Sequence, residues 1–179
     1  MSPMRVTGGE SKGRRLKAPR NIRPTQGIVK EAIFNILAPY IEGATVMDLF
    51  AGSGAIGIEA LSRGAAHVTF VDREERGLAI LRQNLDALGL KQRARIIRAD
   101  VARWIEASPD EMLAADLIIL DPPYGDAVFD RTLQAIDRSA SKATVVAEYS
   151  RRQQLPAMSR LQVGRERRYG DTMLAVLRP

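Results

Sequence analysis

Val46-Met47-Asp48-Leu49-Phe50-Ala51-Gly52-Ser53-Gly54-Ala55-Ile56-Gly57 is the stretch on which the fold turns. A short apolar run ends in an acid, passes through a turn of small residues and resumes as an apolar-periodic segment over Ile56 to Leu61. That order predicts strand, tight turn, helix. Glycines at 52 and 54 let the backbone turn sharply and approach a ligand with no Cβ in the way. Backbone N–H groups at the start of the following helix are unpaired and suit a polar ligand group. The spacing Gly52-x-Gly54-x-x-Gly57 fits the dinucleotide fingerprint, but small residues also close strand–helix turns that hold nothing. The flanking chain has to decide between the two.

Outward from that turn, strands and helices alternate. Strands are predicted over Thr45–Leu49, His67–Val71, Arg95–Arg98, Asp116–Leu120 and Ala143–Tyr149, with a closing hairpin of Leu161–Arg168 and Thr172–Leu177. Helices are predicted over Ala55–Arg63, Glu74–Leu88 and Ala127–Arg138, stopped at Gly64 and Gly89 in the first two cases. An earlier helix, Gln26 to Ala38, has Thr25 as N-cap and Ile28, Val29, Ala32, Ile33, Ile36 and Leu37 on one side. Repeated βα units predict an α/β fold, a doubly wound and mostly parallel seven-stranded sheet, with ligands at the carboxyl ends of the strands. Ahead of it, Met4–Gly9 and Arg14–Ala18 read as a basic β-hairpin, so residues 1–24 form an N-terminal extension and 25–179 the main domain.

Four of the predicted strands run into an aspartate: Asp48, Asp72, Asp100 and Asp121. In a parallel sheet these line one crevice. Asp72 follows the glycine turn at the distance where a nucleoside site needs an acid for its ribose hydroxyls; capping the helix that begins at Glu74 is the alternative. Asp100 can accept from an exocyclic amine or cap Val101–Ile105. The sharpest signal is Asp121-Pro122-Pro123-Tyr124 after Leu117-Ile118-Ile119-Leu120. Two prolines stiffen the turn, which can then hold a carboxylate, backbone carbonyls and an aromatic face in one geometry. Those groups grip and stack a nucleobase amine.

Charge separates the chain into three parts. Residues 1–30 carry eight Lys or Arg against Glu10 alone. Residues 151–179 carry seven Arg against Glu166 and Asp171. Between them lie twelve basic and eighteen acidic residues. Basic ends on an acidic body are the footprint expected for nucleic acid. Arg5, Lys12, Arg14, Arg15, Lys17, Arg20 and Arg23 are the candidate phosphate contacts. The chain has no cysteine and a single histidine, His67, which excludes disulfides, thiolate sites and His-pair metal motifs; no metal is expected. With no apolar run of about 20 residues and no signal-peptide core at Met1-Ser2-Pro3-Met4-Arg5, a cytoplasmic enzyme away from membranes is expected.

Asp48 to Gly54 followed by Asp121 to Tyr124 resembles the class I S-adenosylmethionine-dependent methyltransferases that modify exocyclic amines. Arg23-Pro24-Thr25, the continuation Ile56 to Ala65 and Tyr169-Gly170-Asp171-Thr172 make the chain similar, over 4–178, to the bacterial 16S rRNA guanine-N2 methyltransferase family. It departs from that pattern at Gln26-Gly27-Ile28-Val29-Lys30, where more charge is expected. The resemblance implies that Asp48 with Phe50, Ala51, Gly52, Ser53 and Gly54 holds the methionine portion of S-adenosylmethionine. Asp72, with Arg73 beside it, would take the ribose, and Asp100 and Val101 the adenine. Asp121 and the Pro122 carbonyl would orient the guanine amine, with Pro123 holding the turn and Tyr124 stacking. It further implies a monomer acting on 16S rRNA in a 30S subunit or its assembly intermediate. An adenine-N6 methyltransferase, an inactive nucleic-acid-binding module and a Rossmann dehydrogenase are the alternatives.

Overall fold

A computed structural model describes residues 4–18, 26–123 and 127–179. Strands β1 (Thr45–Leu49), β2 (His67–Asp72), β3 (Ala94–Arg98), β4 (Leu117–Leu120) and β5 (Thr144–Ser150) run parallel to their neighbours. The hairpin of β6 (Gln162–Tyr169) and β7 (Thr172–Arg178) joins antiparallel through β7. The sheet order is β3-β2-β1-β4-β5-β7-β6. This is the doubly wound, mostly parallel, seven-stranded sheet expected from the alternation. Burial on both faces explains why Leu117–Leu120 is an unbroken apolar run rather than an alternating one.

Helices cover the two faces. On one lie α1 (Gln26–Leu37), α2 (Ala55–Ser62) and α3 (Glu75–Leu88), packed over Val46, Leu117, Ile119, Val146 and Leu174. On the other lie α4 (Val101–Ala107), α5 (Pro109–Ala114) and α6 (Val128–Arg138), over Met47, Leu49, Ile118, Leu120 and Ala147. The unanticipated α5 opens with Pro109 and carries Asp110 and Glu111 in its first turn, both favourable at a helix start.

Two expectations need correcting. In α1, Ile28 is 62% exposed while Phe34 is buried. At about 100° per residue, Ile28 points roughly 140° away from Ile33 at the centre of the core stripe. The N-terminal hairpin shrinks to one antiparallel bridge, Arg5 to Arg15, flanked by Val6 N–H to Arg14 O at 3.0 Å and Leu16 N–H to Met4 O at 2.9 Å. The backbone N–H groups of Thr7 and Gly8, which longer strands would need, bond instead to the Glu59 carboxylate of α2. Val6 and Leu16 sit in the same core as α1–α3. The expected cap Thr25 and the expected site residues Arg20, Arg23 and Tyr124 lie outside the described residues.

Candidate active site

The carboxyl ends of β1, β2, β3 and β4 meet at one edge, and the strand order reverses between β1 and β4, so the crevice opens there. The chain leaving β1 turns over β2. Phe50 and Ala51 donate their N–H groups to Val71 O at 2.9 and 3.2 Å, and Phe50 takes φ +67°. A left-handed aromatic costs about 1–3 kcal/mol and is tolerated where the surroundings impose it.

The glycines divide by role. Gly52 and Gly54 both have positive φ, but a Cβ on Gly52 would point into open space, whereas one on Gly54 would lie 2.2 Å from Leu81 Cδ1. A Cβ on Gly57 would meet Phe70 at 2.2 Å and Asp48 Oδ2 at 2.9 Å. Gly54 and Gly57 therefore allow close packing of α2 and α3 on the sheet, while the space beside Gly52 is open. Gly77, absent from the motif, brings α3 against the Gly52 backbone, where a Cβ would lie 3.1 Å away.

Each expected carboxylate has a definite environment. Asp48 is 1% exposed and accepts the Gly57 N–H at 2.8 Å. Burial pushes its carboxyl up to about 7, with the nearby Asp72 charge adding and the Gly57 hydrogen bond opposing. Asp72 is buried and accepts from Gly52 N–H and Glu74 N–H, both at 2.8 Å, one on each oxygen. It thus pins the glycine turn and the approach to α3, and each oxygen keeps a second lone pair for a hydroxyl. Asp72 does not cap α3, whose N-cap is Glu74 with no side-chain bond to the first turn; it stands just ahead of the helix. Arg73 points to solvent and pairs with Glu74 at 3.4 Å.

Asp100 caps α4 through the Arg103 N–H at 3.1 Å and pairs with Arg131 of α6. Burial raises its carboxyl, but the Arg103 N–H and the Arg131 guanidinium outweigh that and hold it below the ordinary range. The capping alternative is what the fold displays. Val101 is buried in the core beneath α4. Asp121 continues β4 by one more bond, its N–H reaching Leu49 O at 3.4 Å, so the Asp-Pro-Pro turn starts beside the glycine turn. Pro122 is buried and Pro123 exposed. Ser53 is buried, with its carbonyl accepting from Asn84 Nδ2 at 3.1 Å.

Arg5, Lys12, Arg14, Arg15 and Lys17 are all exposed, as an RNA-facing surface requires. Lys30, counted in the basic N-terminal charge, is not available. Its ammonium is buried, 3.0 Å from Glu59 and 2.7 Å from Arg5 O.

Two further residues were not anticipated. Glu59, fully buried on α2, accepts from Thr7 N–H, Thr7 Oγ1, Gly8 N–H, Lys30 Nζ and Arg63 Nε. Asn84 of α3 accepts from Lys17 N–H at 2.8 Å and donates to Lys17 O and Ser53 O. The basic segment and the glycine turn are thereby tied to the same two helices. A signal existed for both: each is a large polar residue at a core position of its helix. A cleft of about 360 Å³ lined by Tyr40, Glu42, Asp116, Leu117 and Thr144 lies at the amino ends of β1, β4 and β5, away from this edge.

The model of a family described as Conserved hypothetical protein 95 matches residues 4–178. The chain belongs to that family. Among its relatives is YlbH of Bacillus subtilis (strain 168), named provisionally as an rRNA methyltransferase, 40% identical over 97% of each chain. Ribosomal RNA small subunit methyltransferase D of Escherichia coli (strain K12) is 32% identical over 87% of this chain and 79% of its own length. The structure of yhhF from Escherichia coli, described provisionally as a methyltransferase, superimposes with TM-score 0.85 at 27% identity, covering 99% of this chain and 98% of that one. The doubly wound sheet is the class I methyltransferase fold.

Proposed function

We propose that the chain transfers a methyl group from S-adenosylmethionine to the exocyclic N2 amine of a guanine in 16S rRNA. The observation carrying this reading is the adjacency of two turns on paired strands: the open glycine turn after β1 and the Asp121-Pro122-Pro123 turn after β4. The names borne by the relatives support a methyl donor and a small-subunit rRNA acceptor.

The residues present fit the donor. The gap at Gly52 admits it, Asp72 offers acceptors for vicinal hydroxyls, and the buried Asp48 braces the turn beside the methionine portion through its bond from the Gly57 N–H. Asp100 and Val101 border the adenine end, with Arg73 at its rim. When bound, S-adenosylmethionine supplies an electrophilic methyl on a positively charged sulfur. Everything else falls to the chain. The base amine's lone pair is delocalised into its ring. Asp121 and the Pro122 carbonyl accept its N–H bonds, build negative potential at the nitrogen and favour the positive charge that develops there. Tyr124 stacks on the ring. Arg5, Lys12, Arg14, Arg15, Lys17, Arg20 and Arg23 bind phosphates and carry the RNA to the crevice. The target guanine leaves its stack or comes from a loop. The substrate is a 30S subunit or assembly intermediate, approached by a monomer.

Nucleoside mass spectrometry of 16S rRNA from cells with and without the protein, and after complementation with Asp121→Ala, tests the reading. N2-methylguanosine should vanish without the protein and stay absent with the variant. N6-methyladenosine as the missing nucleoside, or full restoration by Asp121→Ala, overturns it.

A further inference from the structure

A second acid stands beside Asp121. In the parallel register of β4 and β5, Leu117 pairs with Thr144 and Leu120 with Ala147, so the next position places Asp121 opposite Glu148. Neighbouring strands are about 4.8 Å apart. Alternation settles the face. Val146, two residues before Glu148, packs in the core beneath α1–α3, as does Leu174, the β7 residue paired with Glu148. Ile119, two residues before Asp121, lies in that same core. Glu148 is 6% exposed, an acid within the apolar run Val145-Val146-Ala147-Glu148-Tyr149 at the carboxyl end of a central strand. Both acids have an interaction partner within the chain.

From this juxtaposition we infer that Glu148 is the residue that selects guanine, by accepting the N1–H hydrogen bond while Asp121 accepts from the N2 amine. The inference rests on the guanine-N2 reading above and supplies its specificity. Guanine's pairing edge presents the N2 amine and the N1–H as adjacent donors. Adenine's edge presents the N6 amine beside an N1 lone pair. An ionised carboxylate is an acceptor only. Two carboxylates side by side therefore match guanine, and the second would confront a lone pair on adenine. A carboxylate oxygen set against the adenine N1 lone pair meets repulsion where guanine offers a hydrogen bond, and sites built to bond a donor discriminate against the analogue that lacks it. The Asp-Pro-Pro-Tyr turn grips an amine of either base; the neighbouring strand tells them apart.

The test uses small subunits reconstituted with 16S rRNA bearing either guanine or 2-aminopurine at the methylated nucleotide, located by mass spectrometry of nuclease fragments of the rRNA. 2-Aminopurine keeps the 2-amino group and replaces N1–H by a lone pair. Wild-type protein should favour guanine in kcat/KM by about 100-fold, the scale of one well-placed polar contact. Glu148→Gln, whose amide can donate to that lone pair, should shrink the ratio at least about tenfold while S-adenosylmethionine affinity is unchanged. A variant that slows both substrates equally, leaving the ratio intact, overturns the inference. So does wild-type protein that turns over both substrates alike, a result that needs no folded variant. Failure to form N2-methylguanosine at all refutes instead the reading on which the inference rests.

Discussion

Replacing Glu59 with alanine should cost this fold about 4 kcal/mol. The carboxylate is fully buried and is shared by the basic segment, α1 and α2. Removing it strands the Lys30 ammonium, whose side chain is 9% exposed, and breaking a buried pair from one side costs roughly 3–5 kcal/mol. The Thr7 and Gly8 N–H groups also lose their acceptor, about 1–3 kcal/mol each if they stay dry. These terms do not simply add, because the segment can lift away and let water in. Lifting forfeits the burial of Val6 and Leu16, at about 1.5–3 kcal/mol per side chain. Both routes converge on the same size of loss, a large part of the roughly 5–15 kcal/mol that a domain has. Burial opposes ionisation of Glu59, but the Thr7 N–H, Lys30 and Arg63 prevail and keep its carboxyl below the ordinary range. Its contribution is thus in force at neutral pH and fades as acid protonates it through the depressed folded value. Urea denaturation at pH 7 measures the loss, and hydrogen exchange locates it. Thr7 and Gly8 amides should lose protection in Glu59→Ala while those of β1 and β4 keep theirs. A loss under about 1 kcal/mol, or unchanged protection at Thr7 and Gly8, refutes the reasoning.

Asp137, held at about 2 despite burial by the Leu161, Ser159 and Arg160 N–H groups, should stabilise the fold above pH 4 by about 2 kcal/mol and lose that as pH falls through 2. Asp137→Asn should therefore be weaker than wild type in urea at pH 7 and equal to it near pH 2; an equal deficit at both counts against the linkage. Asp48 has the opposite sign. Its folded value near 7 lies above the unfolded one near 3.9, so its ionisation destabilises the chain progressively from pH 4 to 7, by up to about 4 kcal/mol. Asp48→Asn should flatten the pH–stability curve there and exceed wild type at pH 8, and an unaltered slope rejects it. Asp72→Ala should weaken S-adenosylmethionine binding at least about tenfold by calorimetry, one charge-assisted contact's worth; unchanged affinity removes Asp72 from the ribose role. Arg14→Glu with Arg15→Glu should lower the slope of log K against log salt for rRNA by about 2, and a wild-type slope clears that surface of phosphate contact.

What the sequence disclosed and what it withheld follow from the range of the interactions involved. The alternation of apolar runs, the glycine turn and the acids after each strand are local patterns, and they suffice for the sheet, its parallel direction and the edge where the carboxylates gather. Boundaries moved by a residue or so. The two states of Asp100, cap or ligand acceptor, are indistinguishable along the chain because Arg131, which pairs with it, is thirty-one residues distant on another helix. The hairpin was overextended for the same reason: its missing strand bonds go to Glu59, fifty-two residues from Thr7. That Gly54 and Gly57 must also be small for packing shows only in three dimensions, where an added Cβ would meet Leu81 and Phe70.

Glu59 and Asn84 alter how the basic N-terminal segment must be understood. Asn84 holds both backbone polar groups of Lys17 and, through the same amide, the carbonyl of Ser53 in the glycine turn. Glu59 holds Thr7 and Gly8 from the helix that this turn initiates. The basic segment and the glycine turn are thus anchored on the same two helices, with Ser62 of α2 and Arg63 just after it adding bonds to Gly8, Ser11 and Thr7. Cutting away residues 1–22 would expose Glu59 and part of the core, so lost RNA binding after such a cut would report unfolding as readily as lost contacts. Reversing Arg14 and Arg15, whose side chains reach solvent, separates the two: the phosphate contacts go while Val6, Leu16 and the Glu59 tie remain. On the proposed reading, RNA held by the basic segment would be fixed relative to the glycine turn through α2 and α3 as one packed unit, which methyl transfer between two separately bound molecules requires.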